Sequence, residues 1–119
     1  MTAVGARDWH ERLVSADEAV SLVRRGDKVF VGSACATPRT LVGALEEARR
    51  PGVVLVHFLI NRVGTGDPGQ TAYRHRVFYV GTDERDLLGP TRKVEYLPLS
   101  LADVPRLFEN GQLPRIGSR

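Results

Sequence analysis

Gly32, Ser33, Ala34, Ala36 and Thr37 lie between an apolar run and a helix start, a place where backbone groups can receive an acyl or anionic ligand. Small side chains let such a ligand approach the main chain closely. Val29, Phe30 and Val31 before them have strand character; Thr37 reads as an N-cap and Pro38 as the first helical residue, whose missing N–H would have had no intrahelical partner. The first N–H groups of the helix that follows sit at the positive end of its dipole. A carboxylate, a phosphate or a thioester oxygen over residues 32–37 would be stabilised there. The loop has neither the Gly-x-Gly-x-x-Gly fingerprint of dinucleotide sites nor the Lys-Ser/Thr ending of a P-loop, and a plain strand-to-helix connection is the other reading of the same residues.

Other side chains capable of chemistry are scattered. Cys35 stands in the same loop, either as a thiol activated by the helix N-terminus or as a small space-filling residue without a neighbouring histidine to act as base. His57 interrupts an apolar run and reads as a hydrogen-bonded core or strand-end residue, while His10 and His75 are expected at the surface. The histidines, the cysteine and the carboxylates have no zinc-type spacing, so no metal site is expected. Arg74 and Arg76 would share one face of a strand and could grip a phosphate or carboxylate, or simply be solvated. Asn61 ends the second strand, where open parallel sheets bind ligands, although asparagine also forms turns. No catalytic residue is assigned.

The elements that must hold these residues alternate. Ser15-Ala16-Asp17-Glu18 is a capping box, opening a helix that Gly26 would end. Strands are predicted over 28–31, 53–59, 76–80 and 94–97, with a helix from Pro38 to about Arg50, one or two helical turns near 82–86, and a last helix opened by Ser100-Leu101-Ala102-Asp103 and ending near Asn110-Gly111. The glycine-rich segment 61–70 reads as a long polar loop. This order predicts an α/β fold with a mostly parallel, twisted sheet flanked by helices. Its expected core comprises Val29, Val31, Leu41, Leu45, Val54, Val56, Phe58, Phe78 or its neighbours, and Leu107.

Composition narrows the function classes. The chain has 119 residues, 42% of them hydrophobic, which suits one domain. Its net charge is +3, but basic residues come in dispersed pairs interleaved with acids and without an aromatic-studded basic strand, so nucleic acid is not an expected partner. The longest apolar run, Val53 to Ile60, falls far short of the roughly 20 residues of a membrane helix, and no signal-peptide core precedes it. A cytoplasmic protein is expected, and its single cysteine is compatible with that compartment.

The order of the motifs adds a resemblance. Trp9, Arg12-Leu13, Ser15-Ala16-Asp17-Glu18-Ala19-Val20, Arg25-Gly26-Asp27-Lys28-Val29, Val31-Gly32-Ser33, Pro38 with Leu41, Tyr96-Leu97-Pro98-Leu99-Ser100, Asp103-Val104-Pro105, Leu107-Phe108 and Gly111-Gln112-Leu113-Pro114 together resemble the N-terminal domain of the acetyl-CoA hydrolase/transferase family. That family includes acetate, succinate and 4-hydroxybutyrate CoA-transferases. The resemblance implies a coenzyme A thioester as substrate, with no tightly bound cofactor, and an acyl-CoA and a small carboxylic acid as partners. It also implies a glutamate nucleophile in a second α/β domain, which none of Glu11, Glu18, Glu46, Glu47, Glu84, Glu95 or Glu109 matches.

On this reading residues 1–119 form a single, partial domain, apparently truncated, in which Gly32, Ser33, Ala34, Thr37 and Asn61 bind substrate and form the wall facing a nucleophile carried elsewhere. After Leu113-Pro114 the family's pattern gives way to Arg115-Ile116-Gly117-Ser118-Arg119. A complementary C-terminal domain or a homo-oligomer is then the expected partner. The alternative is a non-catalytic remnant or a binding module that self-associates through an uncovered sheet edge.

Overall fold

The computed structural model describes residues 8–59, 71–81 and 93–113. Four strands form one sheet in the order β1-β2-β3-β4: β1 (Lys28–Phe30), β2 (Val54–His57), β3 (Arg74–Val77) and β4 (Val94–Tyr96). All three neighbouring pairs are parallel. The helices are α1 (Ala16–Val20), α2 (Arg39–Ala48) and α3 (Val104–Glu109), with 3-10 turns at Trp9–Arg12, Ala34–Ala36 and Leu101–Asp103. The expected α/β architecture is present. The segments 61–70 and 82–86, Asn61 and the tail from Pro114 lie outside the described residues.

Local chemistry accounts for the helix starts and stops. Ser15 Oγ accepts from Glu18 N–H, and Glu18 Oε2 accepts from Ser15 N–H, both at 3.1 Å, so the capping box forms in both directions. The helix it opens is shorter than expected. It ends at Val20, and Leu22 and Val23 continue as i→i−3 turns to Ala19 and Val20. Asp27 Oδ2 then accepts from Arg24 N–H at 2.8 Å, and Gly26 takes φ +78° in the turn into β1. α2 starts at Arg39, and its last turn closes with Arg49 in the left-handed region. At the last helix Ser100 Oγ bonds the Asp103 side chain at 2.7 Å, giving a 3-10 turn before α3 instead of a reciprocal capping box.

Side-chain alternation sorts the sheet into two faces, because registered partners on parallel strands project to the same side. Val29, Leu55, His75 and Val94 form one row, and Phe30, Val56, Arg76 and Glu95 the next. On the first face Leu55 and Tyr73 pack with Val31, Val53 and, from α1 and α2, Val20, Val42 and Leu45. On the second, Val56 and Phe78 pack with Val104 and Leu113, with Phe58, Leu97, Leu99, Leu107 and Phe108 at the margin. Each large aliphatic side chain removed from water in this way contributes about 1.5–3 kcal/mol before the entropy cost of ordering it.

Several expectations need correction. Leu41 is 42% exposed, because α2 turns Val42 and Leu45, three residues apart, toward the sheet and leaves Leu41 off that stripe. Val29, Val54, Phe58 and Leu107 are only partly buried. β3 begins at Arg74, not Arg76, because pairing with Val54 and Leu55 draws Arg74 and His75 into the ladder. His75 is therefore buried at 2% exposure instead of lying at the surface, while Arg74 beside it and Tyr79 beyond the strand are exposed.

Candidate functional site

The loop after β1 is built almost entirely from backbone bonds. Val31 N–H donates to Val56 O at 3.0 Å, carrying the chain past the end of β1 toward Gly32 and Ser33. Ala36 N–H then donates to Ser33 O, and Thr37 N–H to Ala34 O, closing a 3-10 turn. Ala34 adopts φ 49°, a left-handed conformation unusual for a residue with a Cβ. Its N–H donates to Leu59 O at 2.7 Å, so the turn is tied directly to the chain just beyond β2.

Thr37 has a different part from the one expected. Its hydroxyl donates back to Gly32 O at 3.1 Å, and the residue is buried at 8% exposure. Pro38 takes the N-cap position of α2, with no side-chain cap bond. The physical reason is the tight turn: with Thr37 N–H already bonded to Ala34 O, the hydroxyl faces the Gly32 carbonyl across the turn. Thr37 thus staples the loop from beneath. Gly32 completes the staple, since a Cβ there would lie 2.7 Å from Ala36 O.

Gly32, Ser33, Ala34 and Thr37 are accordingly brought into one turn at the carboxyl end of a parallel strand, where open α/β sheets bind ligands. Ala34, Cys35 and Ala36 are exposed and Ser33 is partly so. Cys35 is a free thiol at the surface, which rules out the space-filling reading. Asn61 lies outside the described residues, two positions beyond the Leu59 to which the loop is anchored.

Arg74 and Arg76 do share a face, the one opposite His75, but Arg76 Nε donates to Glu95 Oε2 at 3.1 Å across a solvated part of the sheet. Among the described residues no cluster of three or more His, Cys, Asp or Glu could hold a metal ion. No helix among them is long and apolar enough to cross a membrane.

A second polar arrangement lies between α2 and the sheet, and sequence reasoning caught only one of its members. His57, fully buried and hydrogen-bonded as expected, places Nε2 2.9 Å from Nδ1 of His75. His75 Nε2 lies 2.8 Å from Thr71 Oγ1, which donates to Glu46 Oε1 at 2.6 Å. Glu46 Oε2 accepts from Ala72 N–H at 2.8 Å. Beside them the Tyr73 hydroxyl donates to Leu45 O and accepts from Arg50 N–H. The missed signal was periodic: Tyr73, His75 and Val77 alternate with arginines, which puts His75 on the apolar side of the strand.

Comparison with known proteins agrees with this architecture. The family model of the acetyl-CoA hydrolase/transferase N-terminal domain matches residues 2–117. A 4-hydroxybutyrate coenzyme A transferase of Clostridium kluyveri is 32% identical over 110 residues, which cover 89% of this chain and 25% of the relative. The crystal structure of RipA from Yersinia pestis superposes with a TM-score of 0.71 at 22% identity, covering 87% of this chain and 27% of RipA. A single-residue mutant of RipA gives 0.72 at the same identity and coverage. The chain thus spans about a quarter of the length of the relatives it matches. By the match over residues 2–117, it belongs to the acetyl-CoA hydrolase/transferase family and corresponds to that family's N-terminal domain.

Proposed function

We propose that this chain supplies the substrate-facing wall of a coenzyme A thioester site whose nucleophile, a glutamate, is carried by a complementary C-terminal domain. The observation that carries the reading is the stapled turn Gly32–Thr37 at the carboxyl end of β1, with small exposed residues and a backbone locked to Leu59. Gly32, Ser33, Ala34, Thr37 and Asn61 form the candidate wall, with Thr37 acting from below as its support. In the chemistry that family membership implies, the glutamate carboxylate attacks the acyl-CoA thioester and expels CoA thiolate, leaving an acyl-glutamyl anhydride. The thiolate attacks the glutamyl carbonyl and releases the acyl group as its carboxylate, leaving a glutamyl-CoA thioester. An acceptor carboxylate then takes up CoA by the reverse sequence, or water hydrolyses the thioester and frees CoA as the thiol. Such a covalent route divides one difficult step into easier ones. This half orients the thioester and presents rigid backbone to its oxygen, a contribution made before the reaction starts and therefore without reorganisation during it.

Residues 1–119 then act as one partial domain, with an acyl-CoA and a small carboxylic acid as ligands and no tightly bound cofactor. Steric substitution of the loop tests the reading. In a protein reconstituted with a glutamate-bearing C-terminal domain, Ser33→Trp lowers kcat/KM for acyl-CoA on the order of tenfold or more, because the indole fills the space the thioester needs. Arg24→Trp, on an exposed turn before β1, leaves turnover unchanged. Equal activity of the two variants contradicts the assignment.

A further inference from the structure

Between α2 and the sheet, the chain His57, His75, Thr71 and Glu46 has a fixed direction. An ionised carboxylate only accepts hydrogen bonds. Thr71 spends its single hydroxyl proton on Glu46 Oε1, so its oxygen accepts from His75 Nε2–H and, at 3.3 Å, from Tyr73 N–H. The neutral His75 ring then presents a lone pair at Nδ1, and His57 donates to it from Nε2. Lys93 Nζ, from the segment before β4, donates to Thr71 O at 2.6 Å and holds the same residue from the other side. Glu46 approaches the ring pair from α2, with Oε1 4.0 Å from His75 Nε2, while Arg76 and Glu95 pair on the opposite sheet face.

Acid changes the proton count. One added proton leaves the rings joined: it enters at His57 Nδ1, the facing nitrogens still share one N–H and one lone pair, and the Glu46 carboxylate lies 4.0 Å from Nε2 of the other ring. A second does not fit: both rings would then point N–H groups at each other across 2.9 Å. Once the pair is separated, no opposing N–H resists a second proton, and a free imidazole takes one up at mildly acid pH. At such pH the open form binds more protons than the closed form, and the closed form therefore gains stability as pH rises and loses it as pH falls.

We propose that the His57–His75 pair is an acid-operated latch: through Thr71 and Glu46 it fastens the C-terminal half of α2 to the entrance of β3, and it opens when both imidazoles become protonated. The latch belongs to the fold and does not depend on the proposed thioester chemistry.

Amide exchange on the chain tests it. The Ala72 N–H, held by Glu46 Oε2, loses protection on the order of tenfold between pH 6 and pH 5 after correction for intrinsic exchange, as one excess proton requires. Val31 and Leu97, whose amides bond across the sheet, keep theirs. His57→Gln abolishes the pH dependence at Ala72, since the amide can present either its N–H or its oxygen to His75 Nδ1 and so suits the ring in both protonation states. Should that variant fail to fold, ring nitrogen spectra of the unaltered chain at pH 8 decide the matter, with both His57 and His75 expected as Nε2–H tautomers. An Nδ1–H tautomer at His75, constant protection of Ala72 from pH 6 to pH 5, or parallel loss at Ala72, Val31 and Leu97 overturns the proposal.

Discussion

Replacing Gly32 by alanine inserts a methyl group where the structure has no room for one. The new Cβ would lie 2.7 Å from Ala36 O and 3.4 Å from Ala36 C, whereas ordinary contact starts at 3.4 Å, so the carbonyl oxygen must retreat by about 0.7 Å. That carbonyl belongs to a turn fixed at both ends, by Ala34 N–H on Leu59 O and by the Thr37 hydroxyl on Gly32 O, and it cannot swing aside as a flexible side chain would. Overpacking of this kind costs about 1–3 kcal/mol, and a central value of about 2 kcal/mol is expected here. With a urea slope of about 1.5 kcal/mol per molar for a chain of this size, the unfolding midpoint falls by about 1.3 M. Gly43→Ala is the matched control. Gly43 lies within α2, where an added methyl would meet nothing within 4 Å, so alanine should stabilise by about 0.5–1 kcal/mol through helix propensity alone. Equal midpoints for the two variants, or a Gly32→Ala protein as stable as the parent, refute the stapled-turn argument.

Two further substitutions probe the supports of the site. Tyr73→Phe removes the hydroxyl joining Leu45 O to Arg50 N–H at the end of α2, and should lower stability by about 1–2 kcal/mol in thermal or urea unfolding. Thr37→Val keeps the shape but deletes the bond to Gly32 O, with an expected loss of about 1 kcal/mol by the same assay.

The parts of the fold set by local chemistry were legible in the sequence, and those set by tertiary competition were not. The Ser15 capping box needs only its own four residues, and it formed as the residue types require. The parallel α/β order followed from alternating elements joined by connections too long for hairpins. Thr37 has the right chemistry for a cap, yet a carbonyl five residues back captured its hydroxyl, and such a contact becomes visible only once the turn is folded. His75 lay just before the predicted strand start, and a misplaced boundary moved it to the wrong environment. Glu46 and Thr71 are 25 residues apart and no local pattern links them. The glycine and small-residue loop was legible as a candidate site because its composition and its position after a strand carry the information directly.

Thioester turnover with borohydride trapping addresses the central claim, that this chain forms one wall of a coenzyme A thioester site and lacks its nucleophile. The purified chain alone should neither hydrolyse acetyl-CoA nor transfer CoA to acetate above background. With a complementary glutamate-bearing domain added, turnover should appear, together with a borohydride-sensitive glutamyl-CoA adduct on the added domain. Robust turnover by the chain alone, abolished by changing one of its own glutamates, would contradict the account and place the nucleophile in this half.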